Sequence, residues 1–181
     1  MSRPLTLALL PIVSACAPDL SGELDPGPPP SLPPGGVLID ATSETDEVGF
    51  DLDAGVVVDT TEPAWDLSFL RYNVRLNGGV SGDGNVEAAV LAGVAYEDVV
   101  EAPETGFATD APDADGDGID ELVFAGWYDY DLVDHTLSPA DVVYVVRSTE
   151  AADHKLSFLS YYDHAGTPAM ITFVTALLEG P

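Results

Sequence analysis

The sequence has 181 residues, enough for one domain with a hydrophobic core. Its 32 acidic and 5 basic residues give a formal net charge of −27, which excludes ordinary binding to nucleic acids and anionic lipid headgroups. Hydrophobic residues make up 46% of the chain, which indicates a folded domain and not an acidic disordered tail.

The N-terminal residues are similar to the export signal of bacterial lipoproteins. An apolar run over residues 5–13 is too short to remain as a membrane-spanning helix, and Cys16 follows a Val-Ser-Ala sequence. We predict a signal peptide over residues 1–15 and lipidation of Cys16, which would anchor the protein in the cell envelope, at the outer membrane. Ordinary secretion is the alternative, because Ala15 and Ala17 also fit a cleavage site.

Residues 16–36 are rich in proline and glycine. Proline cannot donate to a strand ladder and favours the polyproline II conformation. We therefore predict a semi-rigid tether that reaches at most about 60 Å, at about 3.1 Å per residue. The folded domain is predicted over residues 37–181.

Alternating apolar and polar residues predict short strands along this domain. The predicted strands are 37–39, 47–52, 56–58, 65–70, 71–77, 86–91, 96–100, 122–125, 126–129, 142–147, 154–162 and 170–178. Residues 101–112 are predicted as a loop, and 148–153 as a hairpin turn. No long helical period occurs, so we predict an all-β fold: one antiparallel domain, either a sandwich or a curled sheet.

Four segments of this domain carry a family pattern. They are Trp65-Asp66-Leu67-Ser68-Phe69 with Arg71-Tyr72-Asn73-Val74-Arg75-Leu76-Asn77-Gly78-Gly79, then Trp127-Tyr128-Asp129-Tyr130, then Asp141-Val142-Val143-Tyr144-Val145-Val146-Arg147, and Lys155-Leu156-Ser157-Phe158-Leu159-Ser160-Tyr161-Tyr162-Asp163 before Gly166-Thr167. Together they resemble the HmuY family, haem-binding lipoproteins at the surface of Gram-negative bacteria. The resemblance implies haem as the cofactor, and haem or a haem-carrying protein as the partner.

A haem site needs apolar walls and one or two axial ligands. His135, His154, His164 and Met170 are the familiar ligand types in the domain. His154 and His164 would be about 33 Å apart on a straight strand, at about 3.3 Å per residue, so they cannot share one iron. We predict His135, which follows an aromatic run, with His164 or Met170 as the second ligand. The alternative for each is a solvated side chain.

Arg71 and Arg75 are predicted to lie on one strand face and to contact the haem propionates. The alternative is an ordinary ion pair between each arginine and one of the many carboxylates.

An acidic loop over residues 113–122 predicts a calcium site. Carboxylates of Asp113, Asp115, Asp117 and Glu121, with the Ile119 carbonyl, occupy the spacing that converges on one hard cation. The loop differs from an EF-hand, since no glutamate stands at its twelfth position. A solvated Asp/Gly turn is the alternative interpretation.

No G-x-S-x-G or H-E-x-x-H motif occurs, so we predict a protein that is not an enzyme. The leading hypothesis is a haem-binding envelope lipoprotein with a structural calcium loop. The competing hypothesis is a calcium-stabilised surface or interaction lipoprotein that has the same fold and does not bind haem.

Overall fold

A computed structural model describes residues 30–179, and within them it contains twelve strands and one 3-10 helix, at Tyr96–Asp98. The strands are β1 (Gly36–Asp40), β2 (Val48–Asp51), β3 (Val56–Val58), β4 (Leu67–Leu70), β5 (Asn73–Leu76), β6 (Glu87–Ala92), β7 (Phe107–Ala108), β8 (Tyr128–Asp131), β9 (Thr136–Pro139), β10 (Val142–Arg147), β11 (Asp153–Tyr162) and β12 (Pro168–Leu177). None of the helical structure in this range is long and apolar enough to cross a membrane.

The strands form three antiparallel sheets. The large sheet has the order β1-β12-β11-β10-β6-β7, the second sheet has the order β3-β2-β4-β5, and β8 and β9 form a separate hairpin. All pairings between named strands are antiparallel. The predicted all-β class is confirmed, and the sandwich is the form adopted.

The main core lies between the two larger sheets. Phe173 of β12 stacks on Phe69 of β4 with 5.8 Å between ring centroids, and meets the ring of Phe50 of β2 edge-on at 5.4 Å. These side chains are fully buried, as the alternation of apolar residues along each strand requires. Aromatic pairs of this geometry stabilise the fold by about 0.5–1.5 kcal/mol each beyond their buried area.

β10 is buried on both faces. Tyr144 and Val146 enter the main core, whereas Val143 and Val145 belong to a second cluster on the outer face of the large sheet. The 3-10 helix and the residues after it cover this second cluster. The Lys155 ammonium holds them there by donating to the Tyr96 and Val99 carbonyls, both at 2.9 Å.

Three strand predictions are wrong in detail. The segment 96–100 forms the 3-10 helix because its carbonyls bind Lys155 instead of a neighbouring strand. Residues 122–125 form a turn, in which the Val123 N–H donates to Asp110 and Phe124 is buried. The strand expected at 126–129 lies at Tyr128–Asp131, and it pairs with β9, which the sequence analysis omitted.

β4 is also buried on both faces, which its alternation did not predict. Asp66, expected on the polar side, is fully buried directly before β4. Its two carboxylate oxygens accept the N–H groups of Leu52 and Thr149, each at 2.7 Å. Asp66 therefore connects both sheets through segments that are far apart in sequence.

The predicted signal peptide, Cys16 and most of the predicted tether lie outside the described residues. The end of the tether, from Pro30, lies beside the large sheet. The Gly36 N–H donates to the Pro33 carbonyl at 2.8 Å, and this bond closes the turn that leads into β1. The Thr175 N–H of β12 donates to the Gly35 carbonyl at 2.9 Å.

Candidate functional site

Aromatic side chains gather where the β8–β9 hairpin meets the end of β11. We call this surface the aromatic end and define it by Tyr72, Trp127, Tyr128, Tyr161 and Tyr162. Ring centroids of Trp127 lie 5.2 Å from Tyr128 and 6.2 Å from Tyr161, and Tyr72 lies 5.9 Å from Tyr128. Trp127 and Tyr161 are buried, whereas Tyr72 is 45% exposed, so the cluster has a packed base and an accessible rim.

Local hydrogen bonds position the aromatic end. The Trp127 indole N–H donates to the Tyr72 carbonyl at 2.8 Å, and the Leu137 N–H donates to the Tyr162 hydroxyl at 3.2 Å. The register of β11 against β12 shifts between Phe158 and Tyr162, which places both Tyr161 and Tyr162 against the core. The Leu137 bond therefore fixes the hairpin to β11 close to the tip of the hairpin.

His135 lies at the exposed tip of the β8–β9 hairpin. Its Nδ1 is 2.7 Å from the Tyr130 hydroxyl, across the hairpin, and its backbone has a positive φ of 54°. The described residues offer no hydrogen-bond partner to its Nε2. Leu132 and Val133, at the same tip, are 79% and 85% exposed. This geometry gives an oriented imidazole beside an uncovered apolar surface.

His164 and Met170 lie at the neighbouring β11–β12 hairpin. The Asp163 carboxylate closes that turn by accepting the Ala165 and Thr167 N–H groups at 2.9 and 2.7 Å. His164 is exposed in the turn and lines a groove of about 360 Å³. Met170 pairs with Asp40 of β1 and is partly exposed. Leu137 of the β8–β9 hairpin is hydrogen-bonded to Tyr162 at the end of β11. The hairpins that carry His135 and His164 therefore lie at the same end of the sandwich.

His154 has a different environment at the opposite end of β11. It is 5% exposed, and its Nε2 is 2.9 Å from the Asp53 carboxylate. The ten-residue strand β11 keeps it away from His164, in agreement with the geometric exclusion of that ligand pair. His154 is a core residue.

The two arginines differ from the prediction that they share a strand face. Arg71 lies in the turn between β4 and β5, with a positive φ of 57°, so it has left the alternation of β5. Its guanidinium donates to the Thr42 carbonyl at 3.0 Å. Arg75 lies within β5 and forms an ion pair of 2.6 Å with Glu47.

Burial and charge act in opposite directions on Tyr161. Desolvation, the larger effect, raises the pKa of its hydroxyl, and the nearby positive charge of Arg71 lowers it. Burial also raises the pKa of Tyr128. Both phenols are therefore neutral at ordinary pH and act as hydrogen-bonding groups without charge.

The acidic loop forms a compact carboxylate cluster. Oxygens of Asp113, Asp115 and Asp117 lie within 4.8 Å of one another, whereas Glu121 is not part of this group. The Asp113 carboxylate accepts the Gly116 and Gly118 N–H groups at 2.6 and 2.8 Å, and these bonds lower its pKa.

The remaining predicted contributors to the metal site lie close to the cluster in sequence. The backbone of Glu121 pairs with Ala111, and the Ile119 side chain is 65% exposed. The structure thus brings together three of the four predicted carboxylates.

A groove of about 580 Å³ separates the acidic loop from the aromatic end. Tyr72, Arg75 and Tyr128 line it, together with Ile119 and Asp120 of the acidic loop.

Sequence reasoning selected His135, His164 and Met170, and the structure places them around one end of the sandwich. It omitted Tyr161 and Tyr162, whose contribution depends on the irregular register of β11. The adjacent pair of tyrosines before an Asp-His turn was the signal available in the sequence.

The fold and this end of the molecule define an antiparallel β-sandwich protein with a cluster of aromatic side chains at one end. The model of the family described as "HmuY protein" matches residues 43–174, which is more than half of the chain. The protein therefore belongs to the HmuY family. No match was found among curated protein sequences.

Solved structures share this fold. A candidate lipoprotein from Bacteroides fragilis is 19% identical, with a TM-score of 0.59, and the alignment covers 81% of this chain and 91% of that one. An apo HmuY analogue from Tannerella forsythia is 13% identical, with a TM-score of 0.62 and coverages of 80% and 95%. A candidate HmuY-like haem-binding protein from Bacteroides vulgatus is 20% identical, with a TM-score of 0.58 and coverages of 81% and 92%.

Proposed function

We propose that this protein binds haem or a related tetrapyrrole at the aromatic end, as a non-enzymatic lipoprotein of the cell envelope. Membership of the HmuY family supports this role, as does the likeness to an HmuY analogue and to a candidate haem-binding protein. The aromatic end supplies the apolar rings that a flat macrocycle requires.

The observation that carries the proposal is the contact between Tyr130 and His135. A metal-binding histidine usually has its second ring nitrogen fixed by a hydrogen bond, which sets the tautomer and orients the ring. In the tautomer that binds a metal, Nδ1–H of His135 donates to the Tyr130 hydroxyl oxygen, and Nε2 has the free lone pair for the iron. Bound haem would supply an iron that accepts such axial ligands. His164 and Met170 are the alternatives for the second ligand.

Arg71 is the better of the two predicted partners for a propionate. Within residues 30–179 it forms no salt bridge, whereas Arg75 is paired with Glu47. Lys155 also forms no salt bridge within this range, but two carbonyls and the Tyr96 ring already surround its ammonium. An anionic propionate would satisfy the Arg71 guanidinium, which keeps only a neutral carbonyl as its present acceptor.

A haemin titration tests the proposal. We expect the purified protein to give a sharp Soret band and His135→Ala to weaken binding at least tenfold, because an axial ligand is lost. Asp134→Ala is the matched control, since it shortens the neighbouring exposed side chain and removes no ligand. Broad absorbance that is the same in wild type, His135→Ala, His164→Ala and Met170→Ala would refute haem binding.

The location forms part of the same proposal. A signal peptide over residues 1–15, lipidation at Cys16, a tether over 16–36 and a domain over 37–181 would attach the protein to a membrane through its anchor, with the outer membrane as the expected site. The candidate lipoprotein from Bacteroides fragilis supports this arrangement. Cys16→Ser should move the protein from the membrane fraction to the soluble fraction; unchanged partition would contradict lipidation.

A second candidate function is calcium binding by the acidic loop. The close approach of the Asp113, Asp115 and Asp117 carboxylates favours it, because a bound cation would relieve their mutual repulsion. Calcium should raise the melting temperature by about 3–6 °C, and a chelator should remove this gain. The double variant Asp115→Ala with Asp117→Ala should melt at one temperature in both conditions.

Two results would decide between the hypotheses. Equal melting of the wild type with calcium and with chelator would refute the metal site. A calcium response without a haemin Soret band would support the competing function, a calcium-stabilised surface or interaction lipoprotein that does not bind haem.

A further inference from the structure

We propose that the end of the tether, Pro30–Pro33, forms one wall of the ligand site, and that the groove between it and the large sheet holds the apolar edge of the tetrapyrrole. This inference rests on the proposed function and extends it to a segment that the sequence pattern assigned to a spacer.

The tether end is fixed to the sheet by two glycines. Gly35 has a positive φ of 74°, and a Cβ there would lie 2.3 Å from the Thr175 carbonyl oxygen. A Cβ on Gly36 would lie 2.7 Å from the Pro33 carbonyl oxygen and 2.9 Å from Cβ of Leu32. Since real Cβ atoms do not approach so closely, this fold-back requires glycine at both positions. The residues before it therefore have a defined place beside β1 and β12.

The groove formed in this way has a volume of about 360 Å³ and contains His164. The tether contributes Leu32, which is 44% exposed, and the sheet contributes Leu38 and Leu159, which are 43% and 45% exposed. Tyr162 of the aromatic end also lines it. Three half-exposed leucines therefore surround one histidine, so the groove is apolar and also contains a side chain that can bind a metal.

The charges of the groove select the part of the ligand that enters it. Among its lining residues only Asp163 and His164 are titratable, apart from the tyrosine, in a protein of net charge −27. The Asp163 carboxylate is already engaged with two backbone N–H groups of its own turn. The groove thus accepts the methyl and vinyl edge of a tetrapyrrole, while the charged propionates remain outside it.

The size of the groove supports the same assignment. Small-molecule pockets span about 300–1,000 Å³, and this groove lies at the lower limit, so it fits one edge and not a complete macrocycle. An adjoining groove of about 670 Å³ shares Pro33 and Leu159 with it and continues the apolar strip across the sheet.

Protoporphyrin IX is the probe for the experiment, because it has the same apolar edge as haem and no iron. We expect Leu32→Ser and Leu159→Ser each to weaken its binding about five- to tenfold, since each loses about half of a leucine contact. Val57→Ser is the matched control: Val57 is 57% exposed on β3, in the other sheet. Equal melting temperatures would show that all four proteins are folded.

Binding that Leu159→Ser weakens and Leu32→Ser leaves unchanged would overturn the role of the tether, and so would binding that neither variant changes. The proposed function is judged separately, by the haemin Soret band and its loss in His135→Ala. Haemin binding that needs His135 but is insensitive to Leu32 would therefore reject the tether wall and retain the haem site.

Discussion

The two ends of β11 use the same residue type in opposite ways. At one end, His154 is buried and contacts Asp53, beside the buried carboxylate of Asp66. At the other end, His135 and His164 are exposed in hairpin tips around the aromatic end. The difference shows that a histidine of this fold is a buried structural residue at one end and an exposed side chain at the other, where we propose that it binds the iron.

The largest expected difference is in stability. His154→Ala should lower the free energy of unfolding by about 2–4 kcal/mol, because it leaves a cavity and deprives Asp53 Oδ1 of its partner, while Oδ2 already lacks one. His135→Ala should lower it by about 1 kcal/mol or less, because the side chain is exposed and only the Tyr130 contact and the positive φ are affected. Urea unfolding of both variants measures the contrast.

Equal losses in these two variants would mean that the hairpin tip is as structurally constrained as the buried end. Asp134→Ala serves again as the control for substitution in an exposed tip.

The second expected difference is in the response to acid. Burial, the largest cause, raises the pKa of Asp66 above its ordinary 3.8, with a smaller contribution from the charge of Asp53. The stability that this proton linkage contributes is therefore complete below pH 3.8 and is lost as pH rises through the folded-state pKa.

The hairpin tips have the opposite dependence. Backbone N–H groups lower the pKa of Asp131 and Asp163, so their contributions are present above 3.8 and are lost as pH falls through the folded-state values, which lie below 3.8. Acid should thus loosen both tips, and with them the proposed haemin site, while the buried end stays intact.

Asp66→Asn removes the titratable carboxyl group at the buried end and so measures its contribution to stability. It should cost about 1–3 kcal/mol, because an amide NH₂ cannot accept one of the two N–H groups that Asp66 binds. The wild type should lose part of its advantage over this variant as pH rises from 4 to 8, by urea unfolding. A constant difference across that range would show that the pKa of Asp66 is not raised. Asp59→Asn, in an exposed turn, provides the comparison.

The smallest expected effect concerns the orientation of His135. Tyr130→Phe should weaken haemin binding about tenfold and leave the unfolding free energy nearly unchanged, because it removes the hydroxyl that fixes Nδ1 and keeps the ring. Haemin titration measures it, and Tyr72→Phe is the control for loss of a hydroxyl elsewhere on the aromatic end. If Tyr130→Phe bound haemin with the same affinity as the wild type, His135 would not be a ligand of the iron.

The sequence predicted the parts of the fold that depend on local periodicity. β2, β5 and β10 appear close to their expected positions, since apolar residues recur there at every second place or in an unbroken run. β9 was omitted because its four residues end in Pro139 and show little alternation. Its partner and its bond to Tyr162 depend on contacts that no local pattern encodes.

The same limit applies to the site. His135 could be selected from its aromatic neighbours, but its contact with Tyr130 requires the hairpin to form. The burial of Asp66 depends in part on Thr149, which is 83 residues away. Arg71 left its expected strand face because the chain reverses there with a positive φ. Alternation predicts which face a strand buries, and it does not predict whether the opposite face is covered as well.

The pairing of β1 with β12 has a consequence for the kinetics of folding. β12 is hydrogen-bonded to β1 on one side and to β11 on the other, so the large sheet gains its edge strand only when segments about 130 residues apart have met. Folding rates fall as such distant pairings come to dominate a structure, and a mostly antiparallel sandwich belongs among the slower topologies. A newly made chain would thus keep β1 without its partner strand until β12 was available.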